Sequence, residues 1–115
     1  TREAMQLYLS RLSPSGVLAV HISNRYLNLR PALANLAADA GVPALLGEDR
    51  QLPREQTRRM YSASVWVAVT HDADILEALA MRDRWTPLPA SAGARVWTDD
   101  YSNVLCALVR RPLFR

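Results

Sequence analysis

The stretch from Gly16 to Gly41, "GVLAVHISNRYLNLRPALANLAADAG", decides the fold class. It opens with "VLAVHI", a short and nearly continuous apolar run rich in β-branched residues, which predicts a strand covered on both faces and hence a parallel or mixed sheet. His21, Ser23, Asn24 and Arg25 then break the apolar pattern. A helix is expected after Asn28, a good N-cap, with Pro31 tolerated in its first turn and Gly41 at its C-terminal end. Upstream, "REAMQLYLSRL" sets Ala4, Met5, Tyr8, Leu9 and Leu12 at helical spacing on one buried face, and "SPSG" stops it. Helix, strand and helix in tight succession predict a sheet flanked by helices.

Downstream, "VPALLGED" reads as a second short strand, followed by "DRQLPREQTRRM", a charged link without a period. A link of that length inside a compact domain is more often functional than idle. "YSASVWVAVTH" carries the strongest strand signal, with Val65, Val67 and Val69 on one face and Trp66 on the other. In "DADILEALAMRDRW" a helix is expected, with Asp74 and Glu77 spaced as a capping box. "TPLPASAG" reads as a loop and Asn103 to Val109 as a last strand after a polar turn. This order predicts the second half of a doubly wound α/β domain, whose ligands bind beyond the C-terminal ends of the strands.

The 115 residues suffice for one domain or a piece of a larger one, and half of them are apolar, which excludes a disordered chain. No apolar run approaches the roughly 20 residues needed to span a bilayer, so a soluble chain is expected. Thr1 falls within a helical pattern with neither an initiator Met nor a signal sequence before it, so residues 1–115 are expected to form a single-domain fragment. Cys106 is the only cysteine and sits in the apolar run "NVLCALV". It excludes an internal disulfide, suits a reducing compartment and reads as a buried small side chain. All fourteen basic side chains are Arg, set against eleven acidic ones. The net charge of +3 is mild, and the pairs Arg58-Arg59 and Arg110-Arg111 form no basic stripe, so no nucleic-acid surface is expected.

Several side chains are candidates for a site. His21 ends the first strand, where it either presents a ring nitrogen to a ligand or bonds local backbone. Ser23 and Asn24 either serve that rim or hold the turn, and Tyr26 either lines it or packs over the next helix. Tyr61 opens the best strand directly after the charged link, as a cleft-closing ring or an edge aromatic. Asp99, Asp100 and Tyr101 make an acidic turn that either holds a cationic amine or is simply solvated. His21, His71 and Cys106 lack ligand spacing, so no metal is expected. Neither Gly-x-Gly-x-x-Gly nor Gly-x-Ser-x-Gly occurs, which removes self-contained nucleotide binding and α/β-hydrolase chemistry.

Three segments, "LYLSRLSPSGVLAVHISNRYLNLRPALANLA", "YSASVWVAVTHD" and "WTDDYSN", resemble the C-terminal half of spermidine synthase-like proteins. These are the aminopropyltransferase branch of the Rossmann-like fold shared with class I S-adenosylmethionine-dependent methyltransferases. The wording is closest to a bacterial branch fused behind a multi-spanning membrane segment. The resemblance implies a mixed sheet flanked by helices and a cytoplasmic domain, tethered to the inner membrane by a part of the protein outside this chain and not inserting itself. It also implies a small diamine such as putrescine as substrate, with decarboxylated S-adenosylmethionine as co-substrate, or S-adenosylmethionine in a methyltransferase.

The family's amine-facing Gln-Gly-Glu turn falls on His21, Ile22 and Ser23, none of which matches. Its Tyr-Pro-Ser/Thr-Gly motif falls on Tyr61, Ser62, Ala63 and Ser64, where the Tyr is kept. Tyr61 alone carries over the family's role; with the candidates read from the residues themselves, substrate contacts are expected from Tyr61, His21, Ser23, Asn24, Asp99 and Asp100. The family's cofactor turn and catalytic Asp lie upstream of the matched half, so this chain is expected to hold no cofactor and no catalytic residue and to be inactive alone. The alternatives are a regulatory or interaction module that keeps the fold without the chemistry, and a small-molecule methyltransferase. An open sheet edge predicts self-association.

Overall fold

The computed structural model describes residues 1–23, 27–48, 64–82, 84–90, 95–103 and 107–108. The elements are α1 (Arg2–Arg11), β1 (Val17–His21), α2 (Arg30–Asp39), β2 (Ala44–Glu48), β3 (Val65–Thr70), α3 (Ala73–Ala80) and β4 (Trp85–Pro87). Their sheet has the order β1-β3-β2-β4. The mixed α/β class follows the expectation, but the parallel or mixed pairing does not. Every neighbouring pair is antiparallel. β1 and β2, joined by α2, do run in the same direction; β3 lies between them with the opposite sense.

The central place goes to β3 because its residues tolerate burial on both faces. Val67 and Val69 are 0% exposed, and Ala68 and Thr70 are nearly so. Burying each valine contributes about 2 kcal/mol. Val65, Val67 and Val69 point to one face and join Leu18, Val20, Ala44 and Leu46 in the main core, with Met5 and Leu9 of α1 and Leu36 and Ala37 of α2. The Thr70 hydroxyl is satisfied: it donates to the Gly16 carbonyl (2.8 Å) and accepts from the Asp72 amide (3.1 Å).

β1 is not covered on both faces. Val17, Ala19 and His21 are exposed, and Leu18 and Val20 are half-buried against the core. The reason is position: among the described strands β1 lies at the edge of the sheet, and α1 and α2 cover only the face it shares with the core. α3 contributes nothing to that core and packs on β3 and β4.

Local signals account for the helix ends. The Thr1 hydroxyl accepts from the Ala4 amide, with Glu3 in the first turn of α1 and Arg11 in the last, as the helix dipole favours. Met5 and Leu9 are buried, whereas Tyr8, expected on the same face, is exposed. For α2 the N-cap residue is Leu29, one beyond the expected Asn28, yet the Asn28 side chain accepts from the Arg30 amide. At its other end Gly41 has φ of 72°, its amide donates to Ala38 O and that of Val42 to Ala37 O. This is the Schellman arrangement, and Val42 and Ala37 both enter the core.

The cap of α3 is Asp72, whose carboxylate accepts from the Asp74 and Ile75 amides, not the expected box of Asp74 and Glu77. Asp72 comes two residues earlier and reaches both amides first. α3 also ends at Ala80 and does not run on to Trp85. Trp85, Thr86 and Pro87 form β4 where a helix end and a loop were expected. Gly47 explains this strand: a Cβ there would lie 2.7 Å from the Trp85 ring, so the missing side chain is the slot in which the indole rests. Pro87 is accommodated because the bonded positions of the β2/β4 ladder are Glu48 with Arg84 and Ala44 with Leu88, so its absent N–H faces outward.

Of the expected last strand, Leu108 makes an isolated antiparallel bridge with Leu27, and the Ala107 carbonyl accepts from the Asn28 amide. Cys106, Tyr26 and the charged link lie outside the described residues. Among the described residues no helix is long and apolar enough to cross a membrane.

Two substitutions test these assignments. Gly47→Ala is expected to expel Trp85 and cost about 2 kcal/mol of stability, read by denaturant unfolding and by a change in tryptophan emission. Asp72→Ala is expected to cost about 1 kcal/mol, whereas Asp74→Ala leaves stability nearly unchanged.

Candidate functional site

β1 and β2 end on the same side of the sheet, and the end of each brings polar groups there. The Ile22 amide donates to Val65 O at 2.9 Å, carrying the β1/β3 ladder one residue past the strand. Ser23 extends it again, its hydroxyl accepting from the Val65 amide at 2.7 Å. Ile22 is buried in the core. Of the His21-Ile22-Ser23 turn, His21 alone is exposed.

His21 faces Trp66 across the ladder. Their ring centroids are 4.7 Å apart with a tilt of 40°. The Ile22–Val65 bond makes His21 and Trp66 a non-hydrogen-bonded pair, the kind whose side chains approach most closely. Trp66 remains 40% exposed. Among the described residues the contact of the His21 ring is with Trp66. The row continues through Gly47 to Trp85, so one register line across all four strands carries three aromatic rings and the glycine beneath one of them. An exposed imidazole can donate or accept a hydrogen bond, and an exposed indole face attracts a cation.

Near that end, the guanidinium of Arg30, the first residue of α2, forms a partly buried ion pair with Glu48, the last residue of β2. Asp99 and Asp100 lie elsewhere. Their turn is closed by Thr98 and Tyr101, which exchange backbone hydrogen bonds of 2.8 and 3.2 Å. The Asp99 amide donates to the Glu3 carboxylate at 2.8 Å. The neighbouring Arg2 donates to Asp39 through two bonds of 2.8 and 3.0 Å, and the first effect of that hydrogen-bonded carboxylate is to raise the Arg2 pKa. Asp39 ends α2 and Arg30 starts it, a span of about 15 Å at the helical rise. The acidic turn and the His21 rim are therefore tied to opposite ends of α2. Arg95 lies over the Tyr101 ring at 4.0 Å, which further commits that turn to local packing.

Asn24 and Tyr61 lie outside the described residues. Among the described residues no three His, Cys, Asp or Glu side chains gather as metal ligands. Trp66, Trp85 and Gly47, which share the row with His21, are not among the candidates that the sequence marks. The signal was present in Trp66, the one large residue on the second face of a strand otherwise carrying Ala68 and Thr70 there, and in a glycine inside a strand.

The Ser23 hydroxyl is expected to be structural: Ser23→Ala removes the acceptor of the Val65 amide and costs about 1 kcal/mol in unfolding experiments, leaving ligand affinity unchanged. No family model, curated protein or solved structure matches the chain.

Proposed function

We propose that this chain is the substrate-side half of a spermidine synthase-like transferase domain, its sheet being the C-terminal part of a Rossmann-like methyltransferase fold. In the intact domain an aminopropyl group passes from decarboxylated S-adenosylmethionine to a small diamine. The observation that carries this reading is the exposed His21 ring on Trp66 at the carboxyl end of β1. The position is that of the amine-facing Gln in the family this chain resembles. β1 and β2 run in the same sense and are joined by α2, with antiparallel β3 between them, and their carboxyl ends lie at this same rim. An indole face and an imidazole nitrogen suit an ammonium group and a neutral amine respectively.

In the transfer the free amine attacks the aminopropyl carbon, the carbon–sulfur bond breaks, methylthioadenosine leaves and the new ammonium loses its proton to a base. Positioning both reactants in line supplies much of the rate. His21 and Trp66 would hold the acceptor amine, and the base comes from outside this chain. A second reading, a binding module without chemistry, draws on Glu48 being ion-paired to Arg30 and on Asp99 and Asp100 lying at the far end of α2.

Calorimetry of the full-length domain separates these readings. Binding of decarboxylated S-adenosylmethionine and putrescine, with putrescine weakened about tenfold by Trp66→Ala, is the expected result. Binding of S-adenosylmethionine alone indicates a methyltransferase, and binding of none of the three sinks both enzyme readings in favour of the module.

A further inference from the structure

We draw no further inference here: the strongest candidate, the row of His21, Trp66 and Trp85 rings along one register line of the sheet, belongs to the site already described, and nothing in the structure shows what covers the rest of that face.

Discussion

The structure depends on burying β3 from both sides at once. A strand with Val67 and Val69 at zero exposure needs a neighbour on each edge and a layer on each face. β1 and β2 supply the edges, α1 and α2 one face, and α3 part of the other. The same burial fixes register, since a slip by one residue would exchange Val67 for Trp66 in the core. The alignment of His21, Trp66, Gly47 and Trp85 is thus a by-product of packing on the opposite face. The rings are held in place by side chains they never touch.

The elements legible in the sequence were those with strong local signals. The Gly41 terminus of α2, the valine face of β3 and the exposure of Trp66 opposite it follow from residues near one another in the chain. Pairing sense was not legible, because "VLAVHI" looks the same whether its neighbour is parallel or antiparallel. Nor did that run reveal that one of its faces is open, a fact set by its place at the sheet edge. β4 escaped notice for a related reason. Its three residues have no period, and its strand character comes from Gly47, nearly forty positions away, which offers the slot that Trp85 occupies. The place of His21 at a strand end was legible, whereas the separation of Asp99 from it was not. That separation rests on Arg2, Glu3 and Asp39, which bond the turn to the C-terminal end of α2.

Among the described residues the end of β1 is firmly supported. The Ile22 amide and the Ser23 hydroxyl both bond Val65, and Glu48 at the end of β2 is ion-paired to Arg30, so the ends of both strands are tied while the His21 ring is exposed.

The Thr70 hydroxyl, small as it is, bears on how the molecule opens. It joins the carbonyl preceding β1 to the amide of the residue that caps α3. These two points are more than fifty residues apart in sequence, yet neither can exchange its hydrogen-bond partner for water without disturbing the other. Local unfolding divides a protein into cooperative units, and the boundaries of those units follow such ties more than chain order. The start of β1 and the start of α3 therefore belong to one unit, which opens only when the end of β3 opens with it.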